Sequence, residues 1–249
     1  MSINKHTNKF LAAAAATLVL ATTAHAALVG RDINGVAVAG SNVGAVFLYD
    51  TDLNITWLRN ANAGAGSSFD DGFSTTDGRM TWVNANSCAN ALTVGSYSGW
   101  RLPTTRQPDA ACSGQFNSGV TFGIASTGFN CTGSEMGHLW YTELGNVGKL
   151  PISNTGNFLN LLPNYYWSET VYAPDRNLPW FFDASVGFQL FSTLVGKRDT
   201  NHLAMAVRPG DVLAVVNQVP EPGTLLLATL ALAGMGVIRR RMFLTLSPL

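Results

Sequence analysis

The sequence predicts an α+β fold: a single domain of antiparallel strands around one main helix, flanked by end segments that serve export rather than folding. Three observations lead there. Short runs rich in Val, Ile, Phe, Tyr and Trp recur with turn residues between them, as antiparallel strands require. One stretch, residues 82–92, puts Trp82, Ala85, Ala89 and Leu92 on a single helical face, with Thr81 placed to cap it. Residues 27–218 are long enough for one domain with a real core and do not require two.

Taken in order, residues 43–49 and 55–58 read as strands joined by the turn-prone Asp50-Thr51-Asp52. Residues 60–78 are rich in Gly, Ser, Asn and Asp and read as a loop. After the helix, Gly95 is the stop, and residues 97–102 form a short turn-and-strand segment closed by Pro103. Residues 104–132 read as irregular. Ser134 is placed to cap a short helix reaching Leu144, weakened by Gly137. Strands follow at 165–170, 180–183, 188–193 and 203–208, with 184–187 as a hairpin loop, giving a terminal antiparallel meander.

The ends read differently. Lys5 and Lys9 precede an apolar run over 10–21, and Ala24-His25-Ala26 offers the small residues that signal peptidase accepts, so cleavage is expected after Ala26. That run is short for a transmembrane anchor. The expected organisation is a signal peptide over 1–26, a folded domain over 27–218, a C-terminal segment over 219–241 and a short tail over 242–249.

Residues 27–218 carry ten Lys and Arg against fourteen Asp and Glu, a net charge of about −4. No basic patch is available to neutralise phosphates, which excludes nucleic acid as a partner. All three cysteines lie in this part. In an oxidising compartment one disulfide and one leftover thiol are expected. Cys112–Cys131 is favoured because it closes a Gly/Ser/Thr-rich loop, while the spacing leaves Cys88–Cys112 open.

Catalytic and metal patterns are weak. His138 and His202 are the histidines beyond the signal peptide, and neither stands in a ligand spacing such as H-E-x-x-H, so each is expected to be a satisfied structural or surface residue. Ser134-Glu135 near His138 lacks the G-x-S-x-G elbow of a hydrolase. Cys88 falls on the helix's apolar face and is expected to be buried and inert. Asp70, Asp71 and Asp77 share one loop and offer oxygens of the kind calcium takes, but without the D-x-D-x-D-G spacing the default is a solvated loop. Asn54 and Asn130 open glycosylation sequons.

The stretch "YSGWRLPT", residues 97–104, with "NITWLRNAN", "MTWVNANSCANAL", "YYWSETVYA" and "AVRPG", resembles the Lcl C-terminal domain family over residues 47–210. The resemblance implies a fold related to C-type-lectin-like and formylglycine-generating-enzyme domains, with no common catalytic activity. It places Trp100, Arg101, Leu102, Pro103, Trp167 and Ser168 in the core of the family motif. It also implies that Cys88 lost a bridge partner, since Ala206 stands where such proteins carry a second cysteine. On physical grounds Trp100 and Leu102 pack on one strand face while Arg101 seeks a carboxylate or carbonyls, and the six tryptophans supply the core.

"VPEPGTLLLATLALAGMGVIRRR", residues 219–241, resembles the PEP-CTERM sorting signal: Pro220-Glu221-Pro222, an apolar helix over 224–238, then Arg239-Arg240-Arg241. The fifteen apolar-run residues make roughly 22 Å of helix against a hydrocarbon core of about 30 Å, short for a permanent anchor. The arginines hold the cytoplasmic side and leave Glu221 at the outer face. Pro220 and Pro222 keep the approach extended. The resemblance implies cleavage near Pro220-Glu221-Pro222 by an exosortase of a Gram-negative envelope, often alongside exopolysaccharide.

The functional expectation is a non-enzymatic exported envelope or matrix protein without a cofactor. Its partners are signal peptidase, exosortase, the inner membrane before processing, and a glycan or surface protein. The rival readings are a secreted enzyme on a formylglycine-generating scaffold and a protein anchored permanently by its C-terminal helix.

Overall fold

The computed structural model describes residues 28–71, 74–192 and 202–213. The expected signal-peptidase residues Ala24 and Ala26, and the whole expected sorting segment with Pro220, Glu221, Pro222 and Arg239 to Arg241, lie outside the described residues. Among the described residues no helix is long and apolar enough to cross a membrane.

The described residues run through β1 (Val29–Arg31), β2 (Ala37–Val38), β3 (Phe47–Asp50), β4 (Ile55–Leu58) and β5 (Arg79–Met80) to α1 (Trp82–Ala91). A hairpin of β6 (Gly114–Asn117) and β7 (Ile124–Thr127) precedes α2 (Glu135–His138), which continues into a π-helical turn, Leu139–Glu143. The last third comprises β8 (Tyr165–Val171), β9 (Pro179–Asp183), β10 (Phe188–Phe191), β11 (His202–Leu203) and β12 (Val207–Pro209). One five-stranded sheet has the order β12-β4-β3-β1-β2 and is antiparallel throughout. The second has the order β10-β9-β8-β11-β5 and is antiparallel except where β11 runs parallel to β8. This is a sheet-rich α+β architecture, with α1 the longest helix among the described residues.

Strand alternation explains how both sheets are covered on both faces. Leu48 and Trp57 enter a central cluster with Tyr166, Phe182, Leu203 and Val207 from the last third and with Leu139 and Trp140 from the helical turn. Their neighbours Phe47 and Leu58 point the other way, into a cluster with Trp100, Ala206 and Val212. Trp167, next to Tyr166, faces a third cluster with Met80, Leu102 and the α1 residues Ala85, Cys88 and Ala89. Trp57, Trp100, Trp140, Trp167 and Trp180 are fully buried, and Trp82 packs half-buried against the third cluster, so the tryptophans do supply the core.

Several expected elements form as read. The strand over 55–58 and the 184–187 loop stand where expected, and the Thr81 hydroxyl caps α1 by accepting from the Asn84 N–H at 3.3 Å. Others are corrected. The strand expected over 43–49 begins only at Phe47, because the Arg59 guanidinium draws in the carbonyls of Asn42 and Ala45 at 2.6 and 2.9 Å and holds that stretch as a loop. Residues 203–208 are not one strand: Leu203 pairs in the second sheet and Val207 in the first, so this run crosses between the sheets. The stretch over 104–132, read as irregular, contains the β6–β7 hairpin. β6 is exposed at Gln115, Phe116 and Asn117, and β7 buries two adjacent residues, Ala125 and Ser126, so neither strand shows the alternation that announces one. Ser134 occupies the cap position of α2, but its hydroxyl accepts from the Arg106 N–H at 3.0 Å instead of capping. Gly137, read as a weakness, is a fitting requirement. A Cβ there would fall on the Cys131 carbonyl group, 2.8 Å from its carbon.

Candidate functional site

The six residues of the family-like motif come together as a structural corner. β8 is out of register with β9 between Trp167 and Val171, and this irregularity turns Ser168 to Thr170 toward the segment after Pro103. Glu169 N–H donates to the Pro103 carbonyl at 2.8 Å, Thr105 N–H to Thr170 Oγ1 at 2.8 Å, and the Thr105 hydroxyl to Ser168 Oγ at 2.9 Å. Arg101 finds the expected carboxylate. Its two terminal nitrogens donate to both Glu135 oxygens at 2.8 and 2.7 Å, and Thr104 N–H donates to Glu135 Oε2 at 2.7 Å. The Glu135 contact raises the Arg101 pKa, against a smaller opposing effect of burial. Trp100 and Trp167 donate their indole N–H groups to the carbonyls of Tyr97 and Met80. No buried side-chain polar atom of this corner lacks a partner, so it positions the fold.

Next to it lies a cleft of about 250 Å³. One wall is the β6–β7 hairpin with Ser118, Phe122 and Ile124; the other is the end of β8 with Thr170 and Tyr172, closed behind by Trp180. Tyr172 stacks on Phe191 with ring centroids 4.0 Å apart, and Phe116 lies 5.8 Å from Phe191. The Tyr172 hydroxyl donates to Ser118 Oγ at 3.0 Å, which ties the hairpin to the sheet. The indole N–H of Trp180 has no hydrogen-bond partner among the described residues. No charged side chain lines the cleft. An aromatic floor with hydroxyl and amide groups at the rim suits an uncharged ligand of mixed polarity. Sequence reasoning missed this site because its hairpin carries no periodic signal.

The remaining candidates fall out differently. Cys112 and Cys131 form the favoured disulfide, and Cys88 is a free, buried thiol whose pKa is raised, first by burial. Ala206, expected opposite Cys88, lies in a different cluster, and Ala204 is the residue that shares Cys88's surroundings. His202 packs among Trp167, Tyr165 and Phe181, as a structural histidine does. The loop carboxylates are engaged separately. Asp70 accepts from Gly66 and Gly78 N–H, Asp71 from Thr81 N–H and the Asn84 amide, and Asp77 from Arg79 N–H. Asn54 and Asn130 both adopt positive φ.

His138 does not fit its expectation of a satisfied residue. Its Nε2 is buried without a hydrogen-bond partner and faces Glu143 Oε1 at 3.4 Å, an oxygen that also lacks one. An oxygen of Asp50 completes a group whose ligand-type atoms all lie within 4.8 Å of one another. Asp50 is fully buried, and its Oδ1 accepts from the N–H groups of Asp52 and Leu53. Burial first, and then the Asp50 charge, push the Glu143 carboxyl up to about 7, with His138 opposing. The π-helical turn makes this arrangement. Its i→i+5 bonding, seen in Leu144 N–H donating to the Leu139 carbonyl at 2.9 Å, stacks residues five apart, and His138 and Glu143 are five apart.

Residues 218–241 match the family model for the PEP-CTERM protein-sorting motif. No curated protein and no solved structure matches the chain. The motif supports export through exosortase-dependent sorting, from a membrane-anchored precursor toward the cell surface.

Proposed function

We propose that this chain is an exported envelope or matrix protein whose folded domain is a non-enzymatic binding module, delivered by cleavage of its sorting tail. The observation that carries this reading is the sorting motif over 218–241, which follows directly on the folded domain. A domain sent to the surface meets polymers and other cells, and the cleft beside β6–β7 is where it would hold one. Its uncharged, aromatic-backed lining and the domain's mild negative charge favour a neutral glycan over a sulfated one. The resemblance to the Lcl C-terminal domain family, which implies no common catalytic activity, supports the non-enzymatic reading. The enzyme reading needs two reactive thiols, whereas Cys112 and Cys131 are joined and Cys88 is buried.

Replacing Pro220-Glu221-Pro222 with alanines tests delivery. The expected outcome is full-length protein held in the inner membrane and lost from the surface fraction; an unchanged distribution would overturn the reading. Binding is tested on a glycan array with the purified full chain and a Tyr172→Ala variant. Retention of neutral glycans by the native chain, weakened about tenfold or more in the variant, is expected for an aromatic stacking partner. Silence of the native chain across neutral and acidic glycans counts against the binding clause and leaves delivery standing.

A further inference from the structure

We propose that His138, Glu143 and Asp50 hold one divalent first-row transition ion, for which Zn²⁺ is the best match, as a staple between the β3–β4 turn and the helical turn after α2. This site is separate from the aromatic cleft and from the sorting tail.

Geometry carries the assignment. Side chains from two segments far apart in sequence bring an imidazole nitrogen and two carboxylate oxygens within 4.8 Å of one another. The Glu143 side chain is only 2% exposed, yet its Oε1 accepts no hydrogen bond, and the His138 Nε2 it faces makes none either. Native interiors rarely leave two such atoms unused side by side. Their 3.4 Å separation fits two ligands of one ion, because tetrahedral bonds of 2.0–2.1 Å put neighbouring ligand atoms about 3.3 Å apart. Asp50 Oδ2 is engaged only by the Trp57 indole N–H at 3.4 Å and retains lone-pair capacity. Asp52, half exposed, brings Oδ2 to 3.8 Å from His138 Nε2 at the open side, outside the converging group of three.

The charge balance points the same way. Three carboxylates face one imidazole here, and a dication offsets that excess. The donor set selects the ion. Calcium takes six to eight oxygens and magnesium an octahedral oxygen shell, whereas an imidazole with two or three carboxylate oxygens in four-coordination fits zinc. The other converging group, Asp109 with Cys112 and Cys131, has its sulfurs in a disulfide and offers no thiolates.

The experiment titrates the purified full-length chain in detergent, stripped with a chelator, with Zn²⁺, Mg²⁺ and Ca²⁺ by calorimetry. One Zn²⁺ per chain, with Ca²⁺ and Mg²⁺ at least about 100-fold weaker, is expected. His138→Gln and Glu143→Gln should each weaken Zn²⁺ at least about 100-fold, beyond the 10- to 100-fold typical of supporting residues. Asp175→Asn, on an exposed turn, should change nothing. Absence of stoichiometric binding, or binding that survives both ligand variants, overturns the proposal. Should the variants not fold, zinc-edge X-ray absorption of the native chain decides. A shell of one histidine nitrogen among oxygens supports the site, and an all-oxygen or sulfur-containing shell overturns it.

Discussion

Glu135 and Glu143 stand at the two ends of one short helical segment, both largely buried, and they are treated oppositely by the fold. Glu135 takes two bonds from Arg101 and one from the Thr104 backbone, so both of its oxygens are used. Glu143 Oε1 makes no well-formed hydrogen bond, faces the His138 imidazole across 3.4 Å, and has the Asp50 carboxylate within 4.8 Å. The first glutamate completes a network and therefore explains itself as structure. The second violates the rule that buried polar groups are paired, and such a violation marks a site where something else belongs.

Gly137, between the two glutamates, should break both at once. Gly137→Ala sets a Cβ against the Cys131 carbonyl group, backbone that cannot swing away, so a loss of more than about 3 kcal/mol is expected. Chemical denaturation reads it directly, and a loss under about 1 kcal/mol would mean that the helical seat is soft.

Glu135→Ala comes next. It strands the Arg101 guanidinium and the Thr104 N–H, at an expected cost of about 2–3 kcal/mol, below the fully buried range because the Arg101 side chain keeps 22% exposure. Thermal unfolding should fall by roughly 4–12 °C.

Glu143→Gln should do the reverse in chelator-treated protein. The folded carboxyl holds its proton up to about 7, against 4.5 for the free group, so the native state binds more protons between those values. Stability therefore falls as pH rises through that window. The glutamine variant should escape the fall, melting higher than the native chain near pH 8 and matching it toward pH 4. A variant that melts lower throughout would show that Glu143 is paired after all.

The smallest effect concerns Cys88. Burial raises its thiol pKa, so a thiol reagent at neutral pH should find it unreactive in the fold and fully reactive after unfolding. Fast labelling of the folded chain would revive a thiol chemistry.

Much of the frame was legible because its signals are local. Thr81 before an amphipathic run, the turn residues around 184–187 and the alternating aromatic strands each announce themselves within a few residues. The Arg101 partner was legible in kind, since an alternating strand leaves its arginine seeking a carboxylate, but Glu135 as that partner was not. What escaped depends on contacts across the chain. Residues 203–208 look like one strand, and only the two sheets decide that Leu203 and Val207 part company. The hairpin beside the cleft leaves β6 exposed and buries two adjacent residues of β7, Ala125 and Ser126, which imposes no period. His138 and Glu143 are five apart, a spacing that separates them on an α-helix and joins them only on a π-helical turn.

Delivery to the surface is tested most directly by the intact mass of the protein recovered from the surface and medium of the producing cell. A species that begins at Ala27 and ends near Pro220-Glu221-Pro222 is the predicted result. A species that retains Arg239-Arg240-Arg241 and residues 242–249 and stays in the inner membrane would contradict it, making the tail a permanent anchor.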